Sequence, residues 1–596
     1  GSALARPGPS VSYYKLLASK VGMAEKETSF LERLDASLSS YADVFRHVEA
    51  AVRSFSAANP QACVPALTAG LEAVRHLRRT NRDPDLQTKE DQFLTALEQA
   101  LGLSFDVLVE PEHLPADPFA QFRPWETFAL ATPGQTFRSA TFFHSSGRAG
   151  IKVKDVELMT PPGWSWRRLG ENRFEVAVAA EAPATMAYWR RGSIRENLYQ
   201  IDEPRWFRWP LPPAPVRARL TYFVNGVEAS MDREAETSYV DHIGVEHHRA
   251  LAVGPAVSVR FTSDAGVLPL GQREYSIGCV VRNNFNGLVK GTVWLSLPVG
   301  WQSEPGSTPF DFEREKEEAN ISFRLTAPQG LEAKEYPIEA VASFQGRAYR
   351  SSFTAITQPG LETVYLSKPA RRQVRGVDVK VAKGMRVGYV MGTGDEVPEG
   401  LRQLALPVDL LDSAALPTGD LSRYNTILLG IRAYAARPDV KTYNPRLLEY
   451  VRQGGVLIVQ YNTQEYDHNY GPFPYTMGAN AEEISEEDSP VEILEPSDPV
   501  FRFPNRITAR DFDGWVEQRG SKFWTTWDAA YRPLLSTHDR GQAPQRGGWL
   551  VARHDKGLYI YCAYAWYRQL PFAVPGAFRL FANLVSLGAA DAPWRK

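Results

Sequence analysis

Three apolar runs in the last third of the chain constrain its fold most: GMRVGYVMGTGD (384–395), YNTILLGIRAY (424–434) and GGVLIVQYN (454–462). Short runs that are apolar on both faces and separated by helix-length segments fit neighbouring strands of a parallel sheet covered on both sides. The expected strands are Arg386 to Met391, Pro407 to Leu411, Thr426 to Leu429 and Val456 to Tyr461. Helices are expected near Pro398 to Leu404 and Asn444 to Gln453. A last strand, Leu558 to Ala563, precedes a helix over Gly576 to Ser586, where Phe578, Leu580, Phe581, Leu584 and Val585 suit a buried stripe.

Ligands of open α/β sheets bind outside the carboxyl ends of the strands. That rule brings Asp395, Arg432, Tyr434, Gln460 and Asn462 to one crevice, as cationic, amide and phenolic groups able to hydrogen-bond sugars or carboxylates. The competing structural reading is a buried Arg432–Asp395 pair that holds the loops. The GTGD of Gly392 to Asp395 lacks the third glycine of a dinucleotide fingerprint and carries Asp395 and Glu396 where phosphate would be repelled. A tight strand-to-helix turn with acidic capping fits better.

This segment resembles a glutamine-amidotransferase-like, flavodoxin-like α/β domain. The resemblance implies a reactive cysteine in the turn after Val456 to Gln460, and a His with a nearby Glu at the end of the last strand. The turn reads Tyr461, Asn462, Thr463, and the last strand runs into YCAYAWYRQLP (561–571), without His or Glu. A thiolate nucleophile needs such a base, so the amidotransferase chemistry is not expected.

At 596 residues the chain exceeds one hydrophobic core, and about four domains are expected. Residues 1–103 read as a helical bundle, with Phe30, Leu31, Leu34, Leu38, Tyr41 and Phe45 at helical spacing. Further helices are expected over Pro60 to Arg79 and Thr88 to Leu101, with the Asn81 to Asp85 stretch between them. Residues 104–250 alternate with period two and read as a β-sandwich. Within it Trp189, Trp206 and Trp209 surround a proline-rich segment, read as a strand edge on a linker rather than a sugar-stacking platform. Residues 251–360 read as a second, immunoglobulin-like β-sandwich that resembles the NEW-type modules of bacterial carbohydrate-active enzymes. A linker with Pro369, Arg371, Arg372 and Gly376 is expected before the α/β domain, 376–596.

A formal net charge of -2 argues against chain-wide attraction to nucleic acid or anionic membrane. No apolar run approaches the roughly 18–20 residues of a membrane span. Cys63, Cys279 and Cys562 lie in segments assigned to different domains, so neither a disulfide framework nor a metal pair is expected. Glu246, His247 and His248 follow Asp241-His242, but neighbouring strand residues face opposite ways and do not form a ready metal site. DFDGW (511–515) and TTWDAAY (525–531) place Asp and Trp in loop-like sequence, weak evidence for calcium or carbohydrate. The opening Gly1-Ser2 looks like an expression scar, so a natural start with any signal peptide is expected upstream.

VSYYKLL (11–17), the helical and β segments, RVGYVMGTGDEVPEGLRQL (386–404), LLGIRAYAARPD (428–439), DFDGWVEQRG (511–520) and RQLPFAVPGAFRLFANLVSL (568–587) together resemble the region after the catalytic domain in large bacterial PIG-L/LmbE-type deacetylases. The family's catalytic domain uses zinc and a His-Pro-Asp-Asp type motif, which this sequence lacks. The resemblance implies an accessory or scaffold chain, without catalytic residues, metal ligands or cofactor of its own. Its partner would be a zinc-dependent domain, in cis or in trans, that deacetylates N-acetylated sugars, with a glycan as a further ligand and an extracytoplasmic location. The alternative is an independent enzyme that uses the crevice of the α/β domain.

Overall fold

The structure, a computed structural model, describes residues 41–112, 125–146, 150–193, 196–207, 209–358, 361–468, 470–478 and 482–596, with Arg205 described by its backbone alone. The helix expected around Phe30 to Leu38 and the VSYYKLL motif lie outside them. The chain is multidomain and mostly β-sheet, with a small helical region near its start and further helices towards its end. It divides into two compact units: the described residues up to Gly254 with Gln358–Thr363, and Pro255–Thr357 with Val364–Lys596.

In the first unit, α1 (Ala42–Ser54), α2 (Val64–Arg78) and α3 (Pro84–Leu101) follow the apolar periodicity of the sequence. The stretch expected to separate the last two helices does so only as far as Asp83, and from Pro84 it is already helix. Proline costs nothing at the first helical position, where its missing N–H has no partner anyway. Asp83 caps Pro84–Leu101 by accepting the Asp85 N–H, and Gly102 ends it at φ 58°. Leu71, Val74 and Leu97 join Phe105, Phe137, Val176 and Tyr222 of the following strands in one buried cluster. The expected boundary at residue 103 therefore separates secondary-structure types around one core.

Eight strands of this unit form one sheet, seven of them along a single hydrogen-bonded path with Glu246–Ala250 branching from it. It turns on the 14-residue strand Val227–Val240, which pairs through its first half with Arg217–Val224 and further along with Leu103–Val109 and Glu246–Ala250. Trp189 and Trp206 are half-buried and Trp209 is exposed. The short strands Trp189–Arg190 and Gln200–Ile201 pair, and the Tyr188 hydroxyl donates to the Trp209 carbonyl at 2.6 Å.

In the second unit a four-stranded and a six-stranded sheet enclose one core. Val259, Ile277, Cys279 and Phe323 come from the first, and Val293, Phe310, Ile338 and Val374 from the second. The expected linker is instead the strand Arg371–Val377, parallel to Ala265–Pro269 and antiparallel to Glu335–Phe344. Its charge disguises it: Arg372 is only 3% exposed. Its Nε–H donates to the Tyr275 hydroxyl at 3.0 Å and its Nη1–H to the Ser263 carbonyl at 2.7 Å. A cation can be held inside when its donors meet fixed acceptors.

The rest of this unit is built on a seven-stranded sheet. Its strands are β1 (Val387–Val390), β2 (Val408–Leu410), β3 (Thr426–Leu429), β4 (Val456–Val459), β5 (Tyr531–Pro533), β6 (Trp549–His554) and β7 (Gly557–Cys562). Their order is β2-β1-β3-β4-β7-β6-β5, parallel from β2 to β7 and antiparallel beyond. Helices α4 (Val397–Gln403), α5 (Asn444–Arg452) and α6 (Pro575–Ser586) lie within one residue of their expected bounds at either end. Every residue of β1, β3, β4 and β7 is buried, as strands covered on both faces require.

The sheet's core extends into the enclosed-core module through Val267 and Val377, and Gln403 Oε1 accepts the Val267 N–H at 2.7 Å. Replacing Arg372 with alanine leaves the buried Tyr275 hydroxyl and Ser263 carbonyl without their donor. The expected loss of stability in urea denaturation is about 2–4 kcal/mol. A loss below about 1 kcal/mol would mean that water replaces the guanidinium.

Candidate functional site

β1 and β3 are adjacent, yet the chain leaves them in opposite directions across the sheet, through α4 to β2 and through α5 to β4. A crevice is expected at such a switch point. Here its groups close on one another. Asp395 Oδ1 accepts the Tyr389 hydroxyl at 2.6 Å and the Val397 N–H at 3.1 Å, and its Oδ2 accepts the Ile431 N–H at 3.3 Å. One carboxylate thus ties a β1 side chain, the start of α4 and the loop after β3.

Gln460 is 1% exposed and its Nε2–H donates to the Tyr389 hydroxyl at 3.1 Å. Its Oε1 has no hydrogen-bond partner. Glycine is required where the loops pass: a Cβ on Gly392 would lie 1.9 Å from the Ile431 carbonyl oxygen.

Asn462 and Tyr434 form a second brace. Asn462 Oδ1 accepts the Tyr434 N–H at 3.1 Å, and its Nδ2–H donates to the Gln460 carbonyl at 3.0 Å. The Tyr434 hydroxyl donates to Asn444 Oδ1 at 2.7 Å, whose amide donates onward to the Tyr470 carbonyl at 2.9 Å. Arg432 is different: it is exposed, sits at φ 53°, and its N–H donates to the Tyr461 carbonyl at 2.8 Å. Among the described residues no ion pair joins it to Asp395, so the competing pair is not formed. The Thr463 hydroxyl donates to Glu465 and holds that carboxyl below its usual range, with Arg432 adding a smaller attraction.

Besides Tyr434, tyrosine and tryptophan side chains that the apolar periodicity does not single out fill the space beside these loops. Tyr475 stacks on Trp524 at 3.8 Å between ring centroids, and Trp524 on Tyr561 at 4.6 Å. Tyr434 meets Tyr466 at 4.8 Å. The available signal was the density of aromatics in 461–475 and 559–567. Cys562 at the end of β7 is buried, its Sγ accepts the Trp566 Nε1–H at 3.3 Å, and burial pushes its thiol up to about 12. A thiol held protonated is a poor nucleophile.

Elsewhere, Asp511 of DFDGW accepts Arg579 Nε–H at 2.7 Å and the Thr508 N–H at 2.8 Å, which occupies both its oxygens. His247 Nε2 lies 2.8 Å from Asp241, while His248 has a carboxylate at each ring nitrogen, Glu236 at 3.3 Å and Glu246 at 3.1 Å. Carboxylates on opposite sides of a ring do not converge on one ion, and no group of three or more metal-binding side chains occurs among the described residues. These residues do not fit a zinc centre. No helix among the described residues is long and apolar enough to cross a membrane. A cavity of about 270 Å³ lies at the opposite, amino ends of β3 and β4, lined by Tyr424, Asn425, Gly454, Gly455 and Arg595 among others. Arg595 donates there to the carbonyls of Ala589, Gly454 and Gly588, so the guanidinium staples the end of the described chain to the sheet.

No protein-family model and no curated protein matches the chain. Among solved structures it is similar to the periplasmic chaperone SfaE, at 12% identity and TM-score 0.13, over 20% of this chain and 58% of that one. It is also similar to the apo-form Calx CBD1 domain, at 10% identity and TM-score 0.14, over 20% of this chain and 93% of that one. A β-galactosidase from Rahnella sp. R3 aligns at 14% identity and TM-score 0.21, over 35% of this chain and 31% of that one. Likenesses at this level leave the functional reading to the residues themselves.

Burial holds the hydroxyls of Tyr389, Tyr466, Tyr559 and Tyr561 well above their ordinary 10.0. The folded chain then binds these protons more tightly than the unfolded chain. Their contribution to stability is whole below about pH 10 and is lost as pH rises further. In an alkaline titration, their phenolate absorbance is expected only with unfolding, as a cooperative step after the exposed tyrosines have titrated. Smooth titration of all 25 tyrosines near pH 10 with the fold intact would contradict the packing described.

Proposed function

We propose that this chain is the accessory, non-catalytic region of a bacterial zinc-dependent deacetylase of the PIG-L/LmbE type, whose catalytic domain acts on N-acetylated sugars and is supplied in cis or in trans. The C-terminal sheet is the flavodoxin-like, amidotransferase-like domain of such a region, and the strand order β2-β1-β3-β4-β7 supports that reading. The two sheets around one core support an immunoglobulin-like, NEW-type module before it. The first unit, with its helices and strands, completes the scaffold, and the whole assembly works outside the cytoplasm.

One observation carries the proposal: at the strand ends, Asp395, Tyr434, Gln460 and Asn462 are engaged with neighbouring residues and brace the loops. A group that must take or give a proton to a substrate needs to be within reach of it. Arg432 is exposed and is the group best placed to meet a glycan or a partner domain.

The chain alone, incubated with zinc and N-acetylglucosamine derivatives, is expected to release no acetate. A separately produced PIG-L-type catalytic domain is expected to co-elute with it. Robust turnover by the chain alone would overturn the proposal, and loss of that turnover in Arg432→Ala would place the chemistry in the strand-end crevice.

A further inference from the structure

A second cavity, of about 260 Å³, lies in the enclosed-core module between the strand Val257–Phe261 and the hairpin of Ser351–Ile356 and Val364–Pro369. Arg260, Lys368 and Arg371 line it, with Asp264 as the one carboxylate of the lining. Charge around it is unbalanced. Glu318 is shared by Arg260 at 3.9 Å and Arg282 at 3.1 Å, and Glu339 by Arg350 at 2.6 Å and Arg371 at 3.4 Å. Lys368 is exposed and has no ion-pair partner among the described residues. Five cations thus stand against Asp264, Glu318 and Glu339, a local excess of two positive charges in a chain whose net charge is -2. Like charges gathered in a cleft raise the local concentration of anions.

The uncharged part of the lining narrows the ligand further. Thr354 presents an exposed hydroxyl, whereas the Ser352 hydroxyl is held in the hairpin, accepting the Lys368 N–H at 3.2 Å and donating to the Lys368 carbonyl at 3.3 Å; Leu366 and Pro369 add exposed aliphatic surface. Phe261, the aromatic residue of the lining, is only 4% exposed, so it offers little ring face on which a nucleobase would stack. Its volume falls just below the roughly 300 Å³ at which pockets for drug-sized ligands begin. We propose that this cleft binds a sugar that carries a carboxylate or a sulfate. The acid group sits against Lys368 and Arg371, a ring hydroxyl meets Thr354, and a C–H face rests on Leu366 and Pro369. The assignment rests on the cleft alone and stands apart from the deacetylase reading.

Calorimetry on the whole chain with a short oligogalacturonide, a sulfated disaccharide and a methyl-esterified oligogalacturonide tests it. Binding of at least one acidic probe, weaker with added salt, and no binding of the esterified probe are expected. Binding of one acidic probe alone identifies the acid group as carboxylate or sulfate. In the double variant Lys368→Ala, Arg371→Ala the acidic probe is expected to bind at least about tenfold more weakly, the size of loss that removal of charge-assisted hydrogen bonds gives. Both side chains are exposed, so the variant's melting temperature should match the parent's; if it falls, Lys368→Gln alone serves in its place. Silence with both acidic probes at low salt, equal binding of the esterified probe, or undiminished binding by the folded variant overturns the proposal.

Discussion

The last third of the chain depends on one carboxylate. A parallel sheet buried on both faces delivers several loops to one edge, and their polar backbone groups must find partners in a place with little water. Asp395 accepts one hydroxyl and two backbone N–H groups there, from β1, the start of α4 and the loop after β3. Charge-assisted hydrogen bonds of this kind are stronger than neutral ones. The Asn462–Tyr434–Asn444 chain repeats the device one strand further along.

That economy shapes the functional reading. At a reactive strand-end site, side chains remain available to a substrate; here most of them hold the fold. The cysteine of this domain is sealed beneath Trp566, and the loops pass too closely at Gly392 for a side chain. Exposed chemistry is found in Arg432 at the rim of the strand ends and, away from the switch point, in the cationic cleft of the neighbouring module. The hydrogen bond from Val267 to Gln403 and the shared apolar core join that module to the sheet. A ligand in the cleft would therefore be held on a firm support.

Much of this architecture is legible in the sequence. Apolar runs over 387–390, 426–429 and 456–459 become strands because nothing polar interrupts them. The stripe in 575–586 becomes the helix it promises. The five strand-end residues are gathered where the switch-point rule puts them, but their roles are not written in the sequence. Whether Asp395 faces a ligand or Tyr389 is decided by a tyrosine inside an apolar strand, which hydropathy counts as core. Arg372 misleads in the other direction. A basic residue reads as solvent-exposed linker, whereas the hydroxyl and carbonyl that satisfy it come from segments about 100 residues away. Pro84 is ambiguous alone, and only Asp83 before it marks a helix start rather than a break.

The central claim is that the strand-end polar groups brace the fold. Native-state hydrogen exchange at the N–H groups of Val397, Ile431 and Tyr434 tests it directly, because each donates to one of the side chains at issue. If Asp395 and Asn462 are structural, these amides exchange only through the large opening that exposes β1 and β3, with the same protection as Leu428. Exchange through small local fluctuations, far faster than that of Leu428, would show instead that the crevice is open and its side chains are free for a ligand.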